Sequence, residues 1–79
     1  SAGTSGSTRA DAVEALTPRQ REVLLLIAQG LSNSEIEVEL GITRATCRSH
    51  ITALLARLGA RDRAQLVIAA YESGLVDPH

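Results

Sequence analysis

Residues 34–58 run Ser-Glu-Ile-Glu-Val-Glu-Leu-Gly-Ile-Thr-Arg-Ala-Thr-Cys-Arg-Ser-His-Ile-Thr-Ala-Leu-Leu-Ala-Arg-Leu. Gly41-Ile42-Thr43 separates two stretches of helical spacing and is too short for antiparallel stacking, so the pair crosses sharply with glycine at the bend. In the second stretch Cys47, Ile51, Leu54, Leu55 and Leu58 recur at three- and four-residue steps. At about 100° per residue the opposite side carries Ala45, Arg48, Ser49, Thr52 and Ala56. A sharp helix pair whose second member has an aliphatic back and a small, hydrogen-bonding front has the layout of a helix-turn-helix reader of the DNA major groove.

Outward from this pair, start and stop signals mark two further helices. Thr17-Pro18-Arg19-Gln20 joins an N-cap hydroxyl, a proline at the first helical position and a glutamine able to reach back to the cap, and Gly30 ends that helix. Ser32-Asn33-Ser34-Glu35 repeats the capping logic for a helix that Gly41 stops, and Thr43 caps a third that runs to Leu58 before Gly59. Asp62-Arg63-Ala64-Gln65 opens a fourth, ending near Ser73. The expected core comprises Val23, Leu26 and Ile27 from the first helix, Ile36 and Leu40 from the second, the third-helix stripe, and Ala64, Val67, Ile68 and Tyr71 from the fourth. The fold expected is all-α, a four-helix helix-turn-helix bundle over residues 15–79. Residues 1–14, opening on a Ser/Gly/Thr-rich stretch without apolar periodicity, read as a flexible linker or expression remnant.

Composition narrows the functional classes. Seventy-nine residues rich in Leu, Ile, Val and Ala, with one Tyr and no Phe or Trp, suit one small helical domain. One cysteine and two distant histidines, His50 and His79, offer neither a disulfide nor a metal site, and no cofactor is expected. No nucleophile, base and orienter stand in a recognisable set, and no glycine loop cradles a nucleotide, so the chain reads as a non-enzyme. No apolar run reaches the roughly 20 residues that span a bilayer and no basic-then-apolar leader is present, so no membrane partner is expected and the protein reads as cytoplasmic. A net charge of −1 argues against a polyanionic partner until its distribution is considered. Arg44, Arg48, Arg57, Arg61 and Arg63 stand against Asp62 alone over residues 42–63, whereas residues 31–41 hold Glu35, Glu37 and Glu39 and no base. The basic block coincides with the reading helix and the turn after it.

Arg48, Ser49 and Thr52 are therefore expected at base edges: arginine forks onto guanine O6 and N7, hydroxyls meet several edges, and the flanking alanines let the helix sink in. Thr43, Arg44 and Thr46, at the positive helix end, are expected at phosphates, where they set register. Arg61 is assigned to phosphate as well, although Arg57, Arg61 and Arg63 are equally suited to pairing with Asp62 and Glu72. His50 reads as a buried, hydrogen-bonded structural histidine and Cys47 as packing. On the fourth helix a second stripe, Leu66, Ala69, Ala70 and Ser73, offers small residues for packing against a symmetry mate, and a homodimer through it is expected, with burial in the monomer's own core as the alternative.

Leu16-Thr17-Pro18-Arg19-Gln20-Arg21-Glu22-Val23-Leu24, Gln29-Gly30-Leu31-Ser32-Asn33-Ser34-Glu35-Ile36, Thr46-Cys47-Arg48-Ser49-His50-Ile51, Leu58-Gly59-Ala60-Arg61-Asp62-Arg63 and Ser73-Gly74-Leu75 together resemble the LuxR/FixJ/GerE (NarL-like) family of C-terminal DNA-binding domains. The resemblance covers about residues 15–76. It implies a wingless four-helix helix-turn-helix, transcriptional regulation of the response-regulator or LuxR kind, dimeric binding of double-stranded DNA at paired half-sites, base contacts from Arg48, Ser49 and Thr52, and dimerisation by the fourth helix. It also implies control by an N-terminal receiver or ligand-sensing domain outside this chain, with RNA polymerase as a further partner. Cys47 replaces the family's usual valine, Glu37 and Glu39 stand where alanine and a basic or neutral residue are usual, and Leu25 replaces a charged residue on the outer face of the first helix. A protein-interaction module that retains the fold without DNA binding, and a sigma-factor-like promoter reader, are the alternative readings.

Overall fold

The computed structural model describes residues 9–76, and among them all regular structure is helical. The helices are α1 (Arg9–Glu14), α2 (Pro18–Ala28), α3 (Asn33–Leu40), α4 (Arg44–Leu58) and α5 (Arg63–Glu72). The last four are those expected from the punctuation. α1 is an addition: residues 9–14, assigned to the linker from composition, form a single helical segment whose Val13, with Leu16 just after it, is buried at 4% exposure. Residues 1–8 and 77–79 lie outside the described residues.

The caps behave as their side chains dictate. The Thr17 hydroxyl accepts the Gln20 N–H at 3.1 Å while the Gln20 carboxamide accepts the Thr17 N–H at 3.1 Å. Ser32 and Glu35 exchange the same pair of bonds at 3.2 and 2.7 Å. Thr43 and Asp62 cap α4 and α5 through the Thr46 and Gln65 N–H groups. All four main helices close alike: an N–H two or three residues past each end donates back to the carbonyl five residues earlier, as Ile42 does to Glu37 at 3.0 Å and Ala60 to Leu55 at 2.9 Å. Leu31, Ile42, Ala60 and Leu75, which make these closing bonds, also lay apolar side chains against the core.

Twelve residues form that core: Val13, Leu16, Val23, Leu24, Ile27, Ile36, Cys47, Leu54, Leu58, Leu66, Ala69 and Ala70. Among the described residues no polar or charged side chain is buried with them. Leu24, absent from the expected stripe, is fully buried, and Leu26 is half-buried. The short side chains of Ala69 and Ala70 let α5 pack closely on α2, its most extensive neighbour. α1 then closes the open side of α5, and the Arg21 guanidinium donates to the Glu14 carbonyl at 2.9 Å, tying the end of α1 to α2.

The sharp α3–α4 corner needs Gly41 at φ 64°, ψ 40°, a left-handed conformation that a Cβ disfavours. A Cβ there would meet nothing within 4 Å, so conformation alone sets the cost of replacing it. Gly41→Ala is expected to lower stability by about 1 kcal/mol, and Gly41→Asn by less, in urea denaturation read by far-UV circular dichroism.

Candidate nucleic-acid interface

α4 is amphipathic as its sequence requires. Cys47 and Leu54 are fully buried, Leu58 is nearly so, and Ile51 and Leu55 are half-buried against the core. On the far side Ala45, Arg48, Ser49, Thr52 and Ala56 are all exposed. Among the described residues neither Arg44 nor Arg48 is held in a salt bridge; Arg19–Glu22, at 3.4 Å, forms on another helix. Arg48, Ser49 and Thr52 therefore share one free face, as expected.

The first turn of α4 is a hydroxyl pair. Thr43 Oγ1 accepts the Thr46 N–H at 3.1 Å and donates to Thr46 Oγ1 at 3.0 Å, leaving the Thr46 hydroxyl proton for an outside acceptor. Arg44 is exposed beside them at the positive end of a fifteen-residue helix. Arg61 is exposed too, at the corner before α5, where its N–H donates to Gln65 Oε1 at 2.7 Å. Hydroxyls, the Arg44 guanidinium and the helix N-terminus thus gather at the first turn of α4, an arrangement suited to hydrogen-bonding anionic oxygens, while Arg61 lies beyond the other end of the helix.

The glutamates of α3 point elsewhere. Glu35 spends its carboxylate on the Ser32 cap, and Glu39 borders a shallow groove with Glu22, Leu25, Leu26 and Leu40, against the outer side of α2. Glu37 is half-buried near Cys47, whose thiol donates weakly to the Asn33 carbonyl at 3.9 Å. Burial pushes the Cys47 thiol up from its ordinary value, Glu37 adds to the shift, and Arg63 opposes it. His50 is half-buried, and among the described residues no hydrogen bond holds its ring, which differs from the buried, bonded histidine expected.

Arg63, expected at phosphate or in a surface ion pair, instead crosses the molecule. Its Nη1 donates to Asn33 Oδ1 at 2.6 Å and its Nη2 to the Leu31 carbonyl, joining the start of α5 to the start of α3. Partners 30 and 32 residues away leave no local trace in the sequence.

The dimer stripe requires correction. Leu66, Ala69 and Ala70 are fully buried in the monomer's own core, and the half-buried Ser73 donates to the Ala70 carbonyl at 3.0 Å, so these four residues cannot form an outer face. The expected core set of α5 is the one that faces out: Ala64 is exposed, Val67 half-buried, Ile68 48% exposed and Tyr71 41% exposed. α5 is apolar on both sides, and the side carrying Leu66, Ala69 and Ala70 is the buried one.

Comparison with known proteins bears on this interface. The family profile described as bacterial regulatory proteins, luxR family, matches residues 14–70. The response regulator protein VraR of Staphylococcus aureus (strain NCTC 8325 / PS 47), of Staphylococcus epidermidis and of Staphylococcus saprophyticus is in each case 44% identical over 68 residues, covering 86% of this chain. The chain spans 32% of the length of these relatives.

The Cys47 thiol carries a signed consequence for stability. Its folded form holds a proton that the unfolded chain releases first, so the thiol's contribution is fully present below the unfolded value and is lost as pH rises through the ordinary thiol range. Urea denaturation across that range should show stability falling with pH in the parent, and a shallower fall in Cys47→Val.

Proposed function

Because this chain belongs to the luxR family of bacterial regulatory proteins, we propose that it is the sequence-specific DNA-binding output domain of a response regulator. The observation that carries the reading is the free face of α4: small and hydrogen-bonding side chains around an unpaired arginine, on a helix whose other side is locked into the core. α4 enters the major groove. Arg48 forks onto the O6 and N7 of a guanine, Ser49 and Thr52 read neighbouring edges, and Ala45 and Ala56 allow close approach. Thr43, Arg44, Thr46 and Arg61 hold phosphates and fix the register of the helix. The chain's net negative charge is compatible with this, since the Glu35 carboxylate is engaged at the Ser32 cap and Glu37 is half-buried, which leaves Glu39 as the exposed α3 glutamate without such an engagement.

Two copies act together on paired half-sites. The surface that suits a second copy is the outward side of α5, where Ile68 and Tyr71 are exposed beside Val67, which is half-buried against the core. The likeness to response regulators supports a signal-receiving domain upstream in the same polypeptide, a cytoplasmic setting, and RNA polymerase as the machinery on which binding acts. No described helix is long and apolar enough to cross a membrane.

Selection of bound sequences from random duplexes, followed by titration at several salt concentrations, tests this reading. Arg48→Ala should cost roughly 1–3 kcal/mol on the selected duplex and relax preference at one base pair. Arg44→Ala should weaken selected and random duplexes alike and flatten the log–log salt slope by about 0.9. Ile68→Glu should keep its helix content and lose only the advantage of two half-sites over one, whereas Leu66→Glu should unfold. Identical behaviour of the two arginine variants on both duplexes, or no response of the parent to any duplex, overturns the proposal.

A further inference from the structure

We infer that Arg63 is a positioning residue that fixes the angle between the α5 surface and the reading pair α3–α4, and thereby the half-site spacing that a DNA-bound dimer accepts. The inference rests on the dimeric reading above. Its starting point is connectivity. α4 packs directly on α5 through the core, whereas α3 packs on α2 and α4 and hardly touches α5, so Arg63 is the polar tie between α5 and the α3 side of the pair. One guanidinium reaches from the first turn of α5 to two acceptors at the entry of α3, the Leu31 carbonyl and Asn33 Oδ1. The Asn33 carbonyl in turn accepts the thiol of Cys47 on the buried side of α4. Two contacts in series, through Asn33, therefore run from α5 to the back of α4.

The geometry of the clamp explains why arginine stands there. A planar guanidinium serves two acceptors at once in a fixed fork, whereas a lysine ammonium is a single point on a flexible stem. With both arms engaged inside the molecule, Arg63 is poorly placed to neutralise a phosphate, which separates it from Arg44 and Arg61. In a two-fold dimer on α5, any rotation of α3–α4 against α5 is doubled across the axis. Two reading helices about one DNA turn apart tolerate little of that.

The test uses this chain and duplexes carrying two selected half-sites, either at the preferred centre-to-centre spacing or at that spacing enlarged by about two base pairs. The parent should favour the preferred spacing by about tenfold or more. Arg63→Ala and Arg63→Lys should each lose about tenfold on it. They should bind the two spacings within about twofold, with helix content and salt slope unchanged. Asn33→Ala, at an exposed first-turn position, should move in the same direction by less, and it carries the test alone should Arg63→Ala lose its helices. Retained spacing preference in Arg63→Lys or in Asn33→Ala overturns the inference. So does a salt slope flattened by about 0.9 in Arg63→Ala, which marks a phosphate contact. A parent that binds DNA without any spacing preference removes the dimeric reading, and the inference falls with it.

Discussion

Everything on the α4 face depends on α4 being held from one side only. A fifteen-residue helix whose front is left free must be anchored by its back, and here Cys47, Leu54 and Leu58 do so with no polar side chain buried beside them among the described residues. Ile36 on α3 and Leu66 on α5 are equally buried, so the anchor is shared by elements that meet around the same aliphatic centre. Directionless contacts of this kind hold position through shape alone. The hydrogen-bonding work of the molecule is thereby moved to helix ends, where capping side chains and the Arg63 fork set direction. Apolar packing holds α4, and polar groups at helix termini set the directions of the elements around it.

Charge is partitioned on the same principle. A domain with net charge −1 presents its free arginines around one helix, while on α3 the Glu35 carboxylate is engaged at the Ser32 cap and Glu37 is half-buried. Glu37 illustrates the exchange. It stands on the helix that crosses toward the corner, yet its half-buried position next to Cys47 makes its field felt by a thiol inside the protein. Screening in physiological salt reaches about 8 Å, so local placement outweighs the overall count.

Most of the fold was legible because its boundaries are local. Caps and left-handed closures involve residues three to five apart, and Thr17, Ser32, Thr43, Asp62 and Gly41 announce themselves without tertiary information. The α4 face was legible for the same reason, since a helix with five apolar positions on one side leaves little choice about the other. What failed was non-local or ambiguous. α1 is too short to form on its own propensity and exists because Val13 and Leu16 find the core. α5 carries two apolar stripes of equal spacing, so periodicity could not decide which one turns inward; Leu66, Ala69 and Ala70 do, and Ile68 and Tyr71 stay at the surface. Arg63 finds acceptors 30 and 32 residues away, beyond any local pattern.

Tyr71 is the chain's single aromatic residue, with neither Phe nor Trp elsewhere, and it lies on the outward side of α5. An interior built wholly from aliphatic groups and one thiol is silent in the near ultraviolet. The phenol is thus a built-in optical reporter confined to one patch of surface. Its emission and absorbance register what happens at that patch, free of any background from the core.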